Sequence, residues 1–314
     1  FSGSAPGAAA AGLAGRILLS GLASRYWQDA GPPVPGHNRS FGHPGWLRMH
    51  VVITGSTRGI GLGLAREFLK SGHEVMISSR GSAAVEKALA LLRAEFPGRK
   101  IVGKVCEVAD YAQVQGLWDA AVAGLGSVDI WVNNAGADGI KAPFFMLPPD
   151  NYVKTINTNV LGLMHCNRVA IPAMYKQGSG MIWNMEGFGS NGSVRPTLSV
   201  YGTSKYAVAY FTKALAKELG KSPVSVGYLS PGIVVTDLLV PPPEQRNENW
   251  ERSKKILNIL ADTVETVTPF LVAGMLANHG KNGAAVRWLT NGKVRARFFM
   301  SLFRRRDLFG PLGF

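Results

Sequence analysis

A short apolar run, His50-Val51-Val52-Ile53-Thr54, ends in glycines at 55, 59 and 61 and passes straight into helical spacing at Leu62, Leu64, Ala65, Phe68 and Leu69. A strand that stops in a glycine turn and opens a helix leaves few folds available. The alternation then repeats. Val75-Met76-Ile77 is followed by an amphipathic stretch over 83–96, 101–105 by a helical stretch over 111–124, and 129–132 by two helical stretches across 150–177. A strand at 181–184, a helix over about 200–219 and a strand at 224–229 complete the pattern. Strands and helices at this spacing specify an α/β fold, a parallel sheet covered on both faces. Right-handed crossovers make it a doubly wound, Rossmann-type sheet that binds ligands at the carboxyl ends of its strands.

The glycine run itself, Thr54-Gly55-Ser56-Thr57-Arg58-Gly59-Ile60-Gly61, suits a pyrophosphate. Glycines permit positive φ and close approach of the backbone, and the first N–H groups of the following helix face the anion. A carboxylate about 20 residues further on would bind the ribose hydroxyl of NAD, but the second strand ends Ser78-Ser79-Arg80, without an acid. Arg58 and Arg80 suit a 2′-phosphate instead, so the expected cofactor is NADPH. On the helix over 200–219, Tyr201 and Lys205 are four residues apart and share one face. An ammonium beside a phenol lowers its pKa from about 10 toward working pH, which suits protonation of a carbonyl oxygen as hydride reaches the carbon.

Composition narrows the class. The chain has 314 residues, 46% of them hydrophobic, enough for one large domain with extensions. Its two cysteines, Cys106 and Cys166, allow no disulfide framework and no metal-ligand spacing, which points to a reducing compartment. The formal charge of +14 suits anionic small molecules or an anionic membrane surface. No basic-aromatic RNA motif or zinc-finger spacing accompanies it, so nucleic acid is not an expected partner. No run of apolar residues is long enough for a spanning helix. Residues 1–48 divide into an acid-poor, Arg-containing start that reads as a transit peptide or a plain flexible terminus, then a Pro/Gly linker carrying Trp46. Residues 49–292 form the expected dinucleotide-binding body, and 293–314 a basic aromatic tail.

Asn133-Asn134-Ala135-Gly136, the glycine run, the Tyr201/Lys205 pair and Ser230-Pro231-Gly232 occur in an order that resembles the short-chain dehydrogenase/reductase family over residues 50 to about 240. The resemblance implies that Asn133, Ala135, Gly136, Pro231, Gly232, Ile233 and Thr236 contact the cofactor beside the glycine run and Ser79. It implies that Lys205 binds the ribose, that Asn159 holds a proton-relay water through its carbonyl, and that helices 111–124 and 200–219 mediate homo- or hetero-oligomers. One departure stands out. Where the family carries a catalytic Ser, this chain reads Asn184-Met185-Glu186-Gly187, so Gly187 takes the place of the hydroxyl. Loss of one polarising donor costs on the order of 3 kcal/mol unless another group acts. Ser190, Ser193 or a group borne by the substrate is the expected substitute, and Gly187 is expected to open room for a large flat substrate.

The NMEGFGSNG and SPGIVVTDLL segments further resemble the chloroplast chlorophyll(ide) b reductases, in the form without membrane spans. That implies reduction of the C7 formyl group of chlorophyll b or chlorophyllide b, on the stromal side of the thylakoid membrane. Reduction of another bulky lipophilic carbonyl, or a non-catalytic NADPH-binding scaffold for a pigment-protein complex, are the alternatives. The segment from Pro241 through Lys255 reads as a lid over the cleft or as a solvated loop. In the tail, Phe298, Phe299, Phe303 and Phe309 alternate with five arginines and a lysine. They suit docking on a thylakoid surface or light-harvesting complex, or packing of the rings on the body with the arginines in water.

Overall fold

The computed structural model describes residues 48–312 apart from 242, 244, 245 and 247. The transit-peptide-like segment and Trp46 of the linker lie outside the described residues. The strands are β1 (His50–Thr54), β2 (Glu74–Ser79), β3 (Ile101–Val105), β4 (Ile130–Asn133), β5 (Gly180–Met185), β6 (Val224–Ser230) and β7 (Ala285–Arg287). They form one sheet in the order β3-β2-β1-β4-β5-β6-β7, and every neighbouring pair is parallel. The expected doubly wound sheet is present. Between β1 and β4 the winding reverses direction, and this is where such sheets open a crevice at their carboxyl edge.

Helices α1 (Gly59–Lys70), α2 (Ser82–Glu95), α3 (Tyr111–Leu125), α4 (Pro149–Ile156), α5 (Gly162–Gln177), α6 (Ser199–Leu219), α7 (Glu248–Leu260), α8 (Val264–Ala277) and α9 (Asn291–Ser301) cover the sheet and its edge. The pleat sends alternate residues of each strand to opposite faces. Val51 and Ile53 of β1 join Phe68 of α1, Leu92 of α2 and Leu271 of α8, while Val52 joins Trp118 of α3, Met174 of α5 and Leu215 of α6. Both faces are therefore buried, which is why the strands read as continuous apolar runs. The two helical stretches expected over 150–177 are α4 and α5, joined by a π turn at Asn157–Leu161. Cys106 and Cys166 are both buried free thiols, and burial pushes the Cys106 thiol up to about 12.

A third, smaller core lies past β6. Val240, Trp250, Leu257, Ala261 and Phe309 pack together, with Phe309 edge-on to Trp250 at 5.5 Å. The segment read as lid or loop thus contains a helix, α7, and the tail folds back onto it. The join is Asp262, 3% exposed, which accepts from Trp288 Nε1 at 2.6 Å and from Arg297 and Arg306. Arg306 also donates to the carbonyls of Ile259 and Ala261. Of the rings expected to pack on the body only Phe309 does so, and Arg297 and Arg306, expected in water, are bonded to the body, while Phe298, Phe299 and Phe303 stay exposed.

Candidate active site

At the carboxyl end of β1, Gly55 and Gly59 have φ of +63° and +54°. A Cβ on Gly55 would lie 2.9 Å from the Ala135 backbone, and one on Gly61 would run into the Gly55 carbonyl. Asn134, from the end of β4, clamps the turn by donating through Nδ2 to the carbonyls of Thr54 and Gly55, each at 2.9 Å. Thr54 Oγ1 accepts from the N–H groups of Asn134 and Ala135. Helix α1 starts with no side-chain cap and no acid in its first turn, so its leading N–H groups, from Gly59 to Gly61, remain available to an anion. A nicotinamide cofactor's pyrophosphate fits this cradle of bare backbone.

The side chains of two expected cofactor contacts are engaged within the protein. Ser56 is fully buried: its hydroxyl donates to the Ile53 carbonyl at 2.6 Å and accepts from Ser78 N–H, fastening the turn to β2. Asn133 also points inward. It accepts from Trp131 Nε1 and donates to Asn184 Oδ1, in a buried network that continues to Asn167 and Thr212. The alternation of a strand explains the exchange, because Asn133 and Asn134 face opposite ways and it is Asn134 that reaches the turn. Thr57 lies in the glycine turn, Ile60 in the first turn of α1, Ser79 at the end of β2 and Ala135 just after β4. Arg58 is largely exposed and pairs with Asp237 at 3.2 Å, while Arg80 meets Glu107 from the end of β3 at 3.8 Å. Across the crevice the Pro231–Thr236 segment leaves β6, Gly232 at φ +72°, with Asp262 bonded to the backbone of Ile233 and Val235. Thr236 Cγ2 lies 3.4 Å from where a Gly59 Cβ would be, so the two walls of the crevice meet here.

Tyr201 and Lys205 stand one turn apart on α6, with Lys205 Nζ 5.9 Å from the phenol ring centroid. Lys205 is 5% exposed and donates to the Met185 carbonyl at 3.1 Å. Burial depresses it to about 8, and the Glu186 carboxylate pushes it back up. Tyr201 departs from expectation. Its pKa lies well above the ordinary phenol value, through burial first and the Asp138 charge second. Both disfavour the phenolate, so the stable form at neutral pH is the protonated donor. Asn159, on the π turn, bonds Ala137 through both its amide atoms and donates to Ser204 Oγ at 2.9 Å. A π turn displaces carbonyls from the helical ladder, which suits a relay water on the Asn159 backbone. A Cβ on Gly136 would lie 3.4 Å from Asn159 Oδ1 and 3.8 Å from Lys205 Nζ, so glycine keeps the space between them clear.

The glycine that replaces the family's serine does not open a space. A Cβ on Gly187 would lie 2.5 Å from Tyr201 Oη, so the phenol hydroxyl itself fills the position. Ser190 does not substitute for the serine either. Its hydroxyl accepts from Gly187 N–H at 3.0 Å and donates to the Lys205 carbonyl at 3.2 Å, which fixes the loop after β5 rather than a substrate. Ser193 is solvent-exposed. Glu186, which sequence reasoning treated only as part of a departure, is buried and meets Arg287 of β7 at 3.4 Å.

A family model described as short chain dehydrogenase matches residues 49–247. A chloroplastic chlorophyll(ide) b reductase of Oryza sativa subsp. japonica is 37% identical over 311 residues, covering 95% of this chain and 89% of that one. A probable chlorophyll(ide) b reductase, chloroplastic, of Arabidopsis thaliana is 36% identical over 280 residues. The match covers 84% of this chain but 55% of that protein, so the chain spans about half its length. Among solved structures, an actinorhodin polyketide ketoreductase with NADPH superposes with a TM-score of 0.66 at 25% identity, covering 76% of this chain and 95% of that one.

Proposed function

This chain belongs to the short-chain dehydrogenase family, and from that premise we propose that it reduces the C7 formyl group of chlorophyll b or chlorophyllide b to hydroxymethyl, using NADPH. The observation that carries the reading is the Tyr201/Lys205 pair at the carboxyl edge of the sheet, in a chain 35–37% identical over 80–95% of its length to chlorophyll(ide) b reductases. Bound in the crevice, the reduced nicotinamide supplies the hydride that the carbonyl carbon receives. Tyr201 Oη gives its proton to the carbonyl oxygen, and the raised pKa keeps that proton in place until transfer. Lys205 would stabilise the phenolate left behind and hold the ribose, and Asn159 would order the water that returns a proton. Gly55, Gly59 and Gly61 would hold the pyrophosphate, and Arg58 and Arg80 the 2′-phosphate. With Gly187 in place of serine, polarisation of the carbonyl falls to Tyr201 alone. A formyl group conjugated to a macrocycle is electrophilic enough for that.

The exposed apolar residues Phe298, Phe299, Met300, Leu302 and Phe303, flanked by exposed Arg295, Arg304 and Arg305, suit an anionic membrane surface. We place the protein on the stromal side of the thylakoid membrane, and self-association on the exposed faces of α3 and α6, where Tyr111, Tyr206 and Tyr210 stand out. The test is incubation of the purified protein with chlorophyllide b and NADPH. The expected result is NADPH oxidation matched by a shift of the Soret band. Oxidation with a steroid or quinone but not with the pigment would reassign the substrate.

A further inference from the structure

We propose that Phe188, with Ile140 and Leu238 on the two neighbouring loops, forms a preformed apolar rim at the catalytic corner that takes the flat face of a conjugated macrocycle and so selects the substrate. The inference deepens the reductase reading above and rests on it. Strands β4, β5 and β6 are adjacent and parallel, so the three loops that leave their carboxyl ends stand side by side. Each loop is fastened to its surroundings, and each leaves one large apolar side chain exposed. After β5, the turn Gly187–Ser190 is closed by Ser190 N–H donating to the Gly187 carbonyl at 3.1 Å. Ser190 Oγ fastens it to the Lys205 carbonyl, and a Cβ on Gly189 would lie 2.6 Å from Gly202 Cα, so the turn lies directly on the helix that carries Tyr201. Phe188 sits inside this turn and is still 42% exposed, one residue from Gly187, whose Cβ would meet Tyr201 Oη. After β4, Asn159 holds Ala137 through both its amide atoms, and Lys141 Nζ donates to the Leu238 carbonyl at 3.2 Å. That bond ties the loop after β4 to the loop after β6. Ile140, next to Lys141, and Leu238 itself are both exposed.

Single exposed apolar side chains are ordinary on a protein surface, but three on adjacent loops beside one catalytic phenol are not. A substrate whose carbonyl reaches Tyr201 Oη has to pass this rim. The occupant is therefore the body of that substrate rather than a partner protein. Because the turn that carries Phe188 is already fixed, binding loses little to ordering the loop. A phenyl face stacked on a planar conjugated system gains more than burial alone supplies. A puckered, saturated ring system such as a steroid presents no such plane, so the rim favours the macrocycle over the alternative substrates.

The probe is chlorophyllide a, which lacks the formyl group and binds without turnover. It is titrated into the full chain with NADP⁺ and followed by quenching of its fluorescence. Phe188→Ala is expected to raise its Kd about tenfold, Phe188→Leu about fivefold and Phe188→Tyr less than about twofold, because the face of the ring counts for more than its volume. Ile140→Ser and Leu238→Ser are expected to raise it about threefold each. The KM for chlorophyllide b should rise in step, with kcat changed far less. Leu91→Ser, at an exposed apolar position on α2, is the control and should leave the Kd unmoved. An unmoved Kd in Phe188→Ala, or an equal rise in Leu91→Ser, overturns the proposal and leaves the reductase reading standing. If Phe188→Ala does not fold, judged by its NADPH affinity, the other two variants decide: Phe188→Leu binding as well as Phe188→Tyr overturns the proposal. If the unsubstituted protein neither binds chlorophyllide a nor reduces chlorophyllide b, the reductase reading fails and the inference falls with it.

Discussion

The catalytic corner and the lid-and-tail module each contain a buried acid that meets arginine, one cation at Glu186 and two at Asp262. At the corner, Glu186 meets the half-exposed Arg287 guanidinium at 3.4 Å. In the module, Asp262 accepts from Trp288, Arg297 and Arg306 at 2.6 to 3.1 Å. The first is a long contact that ties the loop after β5 to the sheet edge at β7, and the second is a clamp that holds the tail to the body. The difference lies in geometry rather than residue type, since short charge-assisted bonds hold more firmly than long ones.

The sharpest way to break the corner is Tyr201→Phe. The expected loss in kcat is 100-fold or more, the scale of a general acid, with NADPH affinity held within a few-fold in a fluorescence titration. Near-normal turnover would remove Tyr201 from its role. The matching cut in the module is Asp262→Ala, which strands two guanidinium groups. The cost is on the order of 2–3 kcal/mol, below the fully buried range because Arg306 keeps 38% of its side chain exposed. It is expected to appear as faster proteolysis within 248–312, with the nucleotide site intact. Restoring the family's serine by Gly187→Ser is a third and opposite kind of test. Since a Cβ there would meet Tyr201 Oη, overpacking by about 1–2 kcal/mol should lower kcat about tenfold instead of raising it. A gain would show that the corner lacks a polarising hydroxyl. The smallest effect lies at the rim, where Asp237 pairs with Arg58. Asp237→Asn frees the arginine for the 2′-phosphate, and NADPH is expected to bind about two- to fivefold tighter, the worth of an exposed pair.

The sheet was legible because parallel strands buried on both faces leave apolar runs, and the glycine spacing was legible because a pyrophosphate turn tolerates little else. Strand β7 escaped notice: of Ala285–Arg287 only Val286 is buried, so no run forms. Helix α7 was hidden by its charges, its buried positions Trp250 and Leu257 being a full seven residues apart. The inward turn of the Asn133 side chain was not legible because two adjacent asparagines look alike until the pleat turns them to opposite sides. The roles of Ser190 and Glu186 depend on partners at Lys205 and Arg287, and that of Asp262 on arginines 35 and 44 positions downstream; spacing carries no record of such pairings. The pKa of Tyr201 was predicted in the wrong direction because a sequence shows a neighbouring lysine but neither the burial nor the Asp138 charge that disfavour the phenolate.

The central claim is hydride delivery from NADPH to the formyl carbon with Tyr201 as proton donor, and isotope transfer tests it most directly. Chlorophyllide b reduced by this protein with NADPH deuterated at the transferable position should yield a C7 hydroxymethyl group carrying one deuterium at carbon, seen as a one-unit mass increase. Product without deuterium, or no product at all from folded protein that binds NADPH, would contradict the account.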